Sequence, residues 1–291
     1  MSAPKLEGVL APITTPFDPV TGDVAAEPLR KNAERLLGAG LDGILGAGST
    51  GEAPLLSNEE FRLVVATLRA AVPRDRLLFA GTGAESTRAA IALSRAAAAE
   101  GADAVLVRPP GYFGAQAVNG LVDYYRAIAD ASPVPVLVYN MPKFTHQPIA
   151  PAVVAELARH PRIVGAKDSS GDVKNLAAYR EAAPRWALFV GSASLFHAAL
   201  ELGCQGGVLG VACFAPRRCA DLLAAHRAGK RDVAETLQRT LTTLDKEIVS
   251  KSGPAGVKAA MDAAGYFGGD VRAPLVPLPD AERARLAQLV A

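Results

Sequence analysis

The sequence predicts a closed (β/α)8 barrel, a TIM barrel, with a C-terminal helical extension. Two observations lead there. Eight short apolar runs recur along the chain, each followed by a longer amphipathic stretch rich in Ala, Leu, Arg and Glu. Runs such as VLAPI (9–13), VLVYN (136–140) and IVGA (163–166) do not alternate polar with apolar residues, the mark of parallel strands covered on both faces. The length agrees, because such barrels commonly take about 250 residues and 291 leaves room for an addition. A doubly wound open sheet is the alternative.

Taken in order, strands are expected at 8–13, 43–47, 77–80, 104–107, 136–139, 163–166, 188–190 and 207–209. Helices fill the intervals. Ser57-Asn58-Glu59-Glu60 and Glu85-Ser86-Thr87 each place a hydroxyl where the first free N–H groups of a helix need an acceptor. After Ala215-Pro216 the chain reads as helix at 217–228, 230–250, 254–265 and 280–290, more than a barrel needs to close. The expected division is a catalytic barrel over 1–228 and a helical extension over 229–291, with no low-complexity linker between them.

Half of the residues are hydrophobic and only 5% aromatic, which suits helices packed on an aliphatic sheet. A net charge of +2 provides no field to attract nucleic acid or an anionic membrane, so small molecules are the expected partners. Cys204, Cys213 and Cys219 are too few for a disulfide framework and lack zinc-site spacing, which points to a reducing, cytoplasmic setting. Neither a secretory leader nor a membrane span is expected. His146, His160, His197 and His226 are scattered, so no metal is expected and a metal-dependent aldolase is disfavoured.

A barrel gathers its chemistry at the C-terminal ends of its strands. Those ends carry Thr14-Thr15, Gly48-Ser49-Thr50-Gly51-Glu52, Arg108 to Phe113, Tyr139 to Pro142, Lys167-Asp168-Ser169 and Gly191-Ser192. Singly, Ser49, Thr50 and Ser169 read as caps or turn formers, Tyr139 as a packed aromatic and Lys167 as a surface lysine. Together they form the set that Schiff-base chemistry on a 2-oxo acid requires. A nucleophilic amine must be neutral, so its pKa has to fall from about 10.4 towards roughly 7 to 8, which apolar neighbours such as Ile163, Val164 and Ala166 favour. Tyr139 is the candidate proton relay, with Ser49 as its link and Tyr112 as a further contributor. Ser49 and Thr50, in their glycine setting, are candidates to hold the substrate carboxylate. Ser169, Gly191 and Gly207 complete the expected substrate-binding set. No cofactor is expected. A phosphate-binding barrel using Gly191-Ser192 and Gly206-Gly207 would leave Lys167 and Tyr139 without a role; a non-catalytic 2-oxo acid binder would not require them.

The motifs TTPF (14–17), GSTGE (48–52), PPGY (109–112), YNMP (139–142) and GAKDSSGD (165–172), with the glycines at 191 and 206–207, occur in one order. In this the chain resembles the dihydrodipicolinate synthase / N-acetylneuraminate lyase family of pyruvate-handling class I aldolases, from about residue 8 to 286. The resemblance implies a barrel with C-terminal helices, a homotetramer, Lys167 as the imine-forming lysine and Tyr139 as acid/base. Ser49 and Thr50 stand where the family commonly has a Thr-Thr pair, and Tyr112 where synthases have a tyrosine reaching into the neighbouring subunit. Those synthases carry arginine two residues after the proline of YNxP; here Phe144 follows Lys143. Segments 77–87 and 253–275 look more like 4-hydroxy-2-oxoglutarate aldolases, with 2-keto-3-deoxy sugar acid aldolases or dehydratases close behind. The expected function is a lyase cleaving or condensing a 2-oxo acid such as pyruvate with an aldehyde, and a dihydrodipicolinate (4-hydroxy-tetrahydrodipicolinate) synthase is the alternative. Lys143 and Arg108 are rim residues able to meet an acidic substrate end.

Overall fold

Eight parallel strands pair in sequence order in the computed structural model, which describes residues 5–113 and 117–290, and β8 returns to β1 to close the barrel. The strands are β1 (Gly8–Pro12), β2 (Gly43–Gly46), β3 (Leu77–Gly81), β4 (Ala104–Val107), β5 (Val136–Asn140), β6 (Ile163–Asp168), β7 (Ala187–Val190) and β8 (Gly206–Val208). Alternate residues of each strand face opposite sides. Leu10, Leu45, Phe79, Leu106, Leu137, Phe189 and Val208 fill the interior, where Phe79 meets Phe189 edge-on with centroids 5.8 Å apart. Val9, Ile44, Leu78, Val105, Val138 and Ala166 turn outward into the core shared with the helices, which is why these runs show no polar face.

The surrounding helices are α1 (Ala26–Gly38), α2 (Asn58–Ala71), α3 (Thr87–Ala99), α4 (Val118–Ala131), the short α5 (Pro142–Thr145), α6 (Pro151–Leu157), α7 (Val173–Ala182), α8 (Phe196–Glu201) and α9 (Pro216–Arg227). Both expected start signals act as read. Ser57 caps α2 in a reciprocal box with Glu60, and the Ser86 hydroxyl accepts from the Ala89 N–H; such a cap contributes about 1 kcal/mol. On α4, Tyr125 is fully buried and its hydroxyl donates to the Val107 carbonyl at 3.1 Å, tying helix to strand.

The strand ends differ from the reading by one or two residues. β5 continues through Asn140 and β6 through Asp168, because the two strands stay in register as Tyr139 with Lys167 and Asn140 with Asp168. Lys167 therefore sits within a strand rather than beyond it. The extension differs more. Helix α10 (Arg231–Leu244) passes into a π-helical turn (Asp245–Ser250) and then α11 (Lys251–Ala263), with Gly253 at φ 54°, ψ −142°, breaking the helix ahead of Pro254. Only glycine adopts such a backbone at little cost. Helix α12 (Asp280–Val290) packs on α11. Leu241, Leu244, Ile248, Val257, Met261 and Leu286 belong to the same core as the barrel's outer face. No helix among the described residues is long and apolar enough to cross a membrane.

Candidate active site

On β6, period two sends Lys167 into the barrel and Asp168 out towards the helices, and on β5 it does the same for Tyr139 and Asn140. The outward pair is a clamp. Asn140 donates to Asp168 Oδ1 at 2.6 Å, Asn175 of α7 to the same oxygen at 2.8 Å, and Ser170 to Oδ2 at 2.7 Å. Burial raises the Asp168 pKa, although these three donors oppose it. The inward pair faces the barrel mouth: Lys167 and Tyr139 are 5% and 6% exposed, and Lys167 Nζ lies 4.5 Å from the Tyr139 ring centroid.

Both open onto a cavity of about 300 Å³ lined also by Ser49, Thr50, Ser169, Gly191 and Ser192. The structure thus brings Lys167, Tyr139, Ser49, Thr50, Ser169 and Gly191 together. Gly191 is needed for close approach, since a Cβ there would clash with Ser169 Oγ and come within 3.0 Å of Lys167 Cε. The Ser49–Thr50 segment is bounded by Ala47 at φ 48° and Glu52 at φ 58°, left-handed conformations that non-glycine residues hold only when their surroundings impose them. Glu52 is held by Lys258, 2.7 Å away, with both side chains at most 1% exposed, and it accepts from the Arg272 N–H at 2.8 Å. Burial lowers the Lys258 pKa.

Two expected residues lie elsewhere. Gly207 does not line the cavity; a Cβ there would face Leu209 and Phe196, so its place is in the packing of β8 against α8. Tyr112 is 83% exposed and outside the cavity. Its loop is fixed by Glu85, which accepts from the Gly111 and Tyr112 N–H groups at 2.9 and 3.0 Å and pairs with Arg108 at 2.8 Å. No hydrogen bond joins Ser49 to Tyr139, and among the described residues neither hydroxyl has a protein partner, which leaves both for a ligand. The Thr14 and Thr15 hydroxyls serve the fold, donating to Met261 Sδ and the Gly51 carbonyl.

Sequence reasoning missed the rear wall. Asp245, Val249, Ser250, Gly253, Pro254 and Val257, all from the extension, line the cavity. The Gly-Pro break at 253–254 was the available signal, because a helix interrupted there turns backbone and small residues towards its neighbours. Lys143 reaches this wall and donates to the Ser250 carbonyl at 3.0 Å, and half-exposed Phe144 lines the mouth. The thiols are not competing nucleophiles: all three are buried, and burial pushes Cys213 up to about 12. Among the described residues no group of three or more His, Cys, Asp or Glu side chains is placed to hold a metal ion.

Comparison with known proteins agrees with this geometry. Residues 5–291 match the dihydrodipicolinate synthetase family. The 4-hydroxy-tetrahydrodipicolinate synthase of Haloarcula marismortui is 34% identical over 293 residues, covering 100% of this chain and 95% of the relative. An uncharacterized DapA-like lyase of Halobacterium salinarum is 36% identical, covering 97% of this chain and 92% of its own. Among solved structures, a dihydrodipicolinate synthase from Bacillus anthracis superposes with TM-score 0.94 at 29% identity, covering 99% and 98% of the two chains. A chloride-inhibited dihydrodipicolinate synthase from Acinetobacter baumannii, complexed with pyruvate, superposes with TM-score 0.93 at 32% identity, covering 98% of each. A closed barrel with an inward lysine at its mouth, matched along its whole length by these proteins, belongs to the dihydrodipicolinate synthetase family, and the chain is a lyase.

Proposed function

We propose that this lyase reversibly joins pyruvate to an aldehyde through an imine on Lys167. The observation that carries the reading is the position of the Lys167 nitrogen, buried on an inward strand position beside Tyr139 and open to a cavity with hydroxyls on its other walls. The neutral amine attacks C2 of pyruvate, and the carbinolamine loses water as a proton is delivered to its hydroxyl. Loss of a C3 proton gives an enamine, whose C3 attacks the aldehyde carbon while the aldehyde oxygen takes up a proton. Hydrolysis of the product imine returns the lysine. Tyr139 is the group placed to move these protons; Ser49 makes no hydrogen bond to it and is assigned to the carboxylate instead. Ser49 and Thr50 hold the pyruvate carboxylate through hydroxyls and backbone N–H groups in the loop that Glu52 anchors, and Ser169 and Gly191 shape the space beside the lysine.

The aldehyde is the finer question. The names of the relatives support 4-hydroxy-tetrahydrodipicolinate synthase over the 4-hydroxy-2-oxoglutarate or 2-keto-3-deoxy sugar acid aldolase that the sequence segments resemble. Phe144 favours the second reading, since it lines the mouth where the synthases that this chain resembles carry arginine. We assign a homotetramer on the same family basis, with exposed Tyr112 completing a neighbour's relay.

Borohydride reduction in the presence of pyruvate, followed by intact mass and peptide mapping, tests the reading. An adduct on Lys167 is expected; no adduct, or one elsewhere, refutes it. A panel of aldehydes with pyruvate then separates the two substrate readings, and light scattering that gives a monomer would remove the role of Tyr112.

A further inference from the structure

Asp245 is the one carboxylate among the described residues that line the cavity. It opens the π-helical turn of the extension and is 2% exposed. Its Oδ2 accepts from Ser192 Oγ at 2.7 Å, the Ser194 N–H at 2.9 Å and Ser194 Oγ at 2.7 Å. None of these bonds uses Oδ1, and among the described residues no cation pairs with Asp245. A buried carboxylate without a counter-charge is costly to keep, and this one faces the cavity. Neither lysine of the cavity pairs with Asp245: Lys167 stands beside Tyr139, and Lys143 is held on the Ser250 carbonyl.

We infer that Asp245 determines which aldehyde the enzyme accepts, admitting one that presents a hydrogen-bond donor, a hydroxyl or an ammonium, to this wall and turning away one that presents a carboxylate. The inference rests on the pyruvate reading above. With Lys167 at the reacting carbon and Ser49 and Thr50 on the pyruvate carboxylate, the Ser192–Asp245 wall is the charged part of the polar surface left for the rest of the aldehyde, beside the hydroxyls of Ser169, Ser170 and Ser250. The π-helical turn gives the position its shape, because an extra residue per turn widens the helix locally, a feature found mostly at functional sites. Ser192 and Ser194 fix the carboxylate through Oδ2 alone, which leaves Oδ1 as an acceptor for the ligand.

Three two-carbon aldehydes differing in one substituent test this with pyruvate and the full chain: glycolaldehyde (hydroxyl), aminoacetaldehyde freshly released from its acetal (ammonium) and glyoxylate (carboxylate). In the wild type, kcat/KM for at least one donor-bearing aldehyde is expected to exceed that for glyoxylate by about tenfold or more, and the better of the two identifies the donor. Asp245→Asn keeps the shape and the serine contacts but removes the charge. It is expected to narrow that ratio by about tenfold while pyruvate adduct formation on Lys167 stays unchanged. The wild-type comparison needs no substitution, so it decides the matter if Asp245→Asn fails to fold. Glyoxylate equal to or better than both donors in the wild type, or an unchanged ratio in a folded Asp245→Asn that still traps pyruvate, overturns the inference. Failure of the wild type to trap pyruvate at all is a separate result, and it removes the pyruvate reading along with everything that depends on it.

Discussion

Lys167 and Tyr139 are register partners on adjacent strands, with the lysine nitrogen 4.5 Å from the centroid of the phenol ring. Tyr139→Phe keeps the ring and its packing but removes the hydroxyl. A drop in kcat of about 10²- to 10⁴-fold is expected, with the thermal midpoint little changed. Turnover near wild type would show that Tyr139 serves only as a wall.

Gly191 lies where a side chain would collide with Ser169 Oγ and crowd Lys167 Cε. Gly191→Ala is expected to cost about 1–3 kcal/mol of stability by overpacking. It is also expected to slow pyruvate imine formation, measured as the rate of borohydride-trapped adduct. Unchanged trapping would mean that Ser169 moves aside without consequence.

The Glu52–Lys258 pair joins the loop carrying Ser49 and Thr50 to the extension. Lys258→Met strands a buried carboxylate, and urea unfolding should show a loss of about 3–5 kcal/mol together with a raised KM for pyruvate. The double variant Glu52→Gln/Lys258→Met should recover most of the stability, because both charges leave together. Recovery absent in the double variant would place the cost in lost packing instead.

Burial holds the Lys258 pKa below its ordinary value, which fixes a sign. Between that depressed folded value and about 10.4 the unfolded chain binds more protons than the native one, so this group's contribution makes stability rise with pH across the window. Below the folded value the cost of burying the charge is fully present. Unfolding free energies of wild type and the double variant, compared from neutral pH to about pH 10, should show the wild type gaining on the variant. A gap independent of pH would contradict the shift.

Much of the barrel could be read from the chain because parallel strands covered on both faces leave unbroken apolar runs, and all eight runs became strands. The catalytic candidates were legible for a related reason: Lys167 and Tyr139 are polar residues near the C-terminal ends of otherwise apolar strands, so they stand out against aliphatic neighbours. Harder to see was pairing. Asn140 and Asp168 clamp the outer face only because β5 and β6 align in one register, and register is a property of two segments that neither displays alone. The rear wall was hidden more thoroughly. Nothing local distinguishes Asp245 from a solvated helix residue, and its burial follows from where α10 lands on the barrel. Gly207, conversely, resembled Gly191 as a glycine at a strand end, yet a Cβ there would meet Leu209 and Phe196.

The contacts that complete this enzyme span most of its length: Thr14 meets Met261, Asn32 meets Phe267 and Glu60 meets Arg272 across 247, 235 and 212 positions. On the ribosome, therefore, all eight strands emerge before the segment that backs the pocket. A nascent barrel carries Lys167 with one side of the chamber still missing, and that side closes only once residues 245–257 have followed.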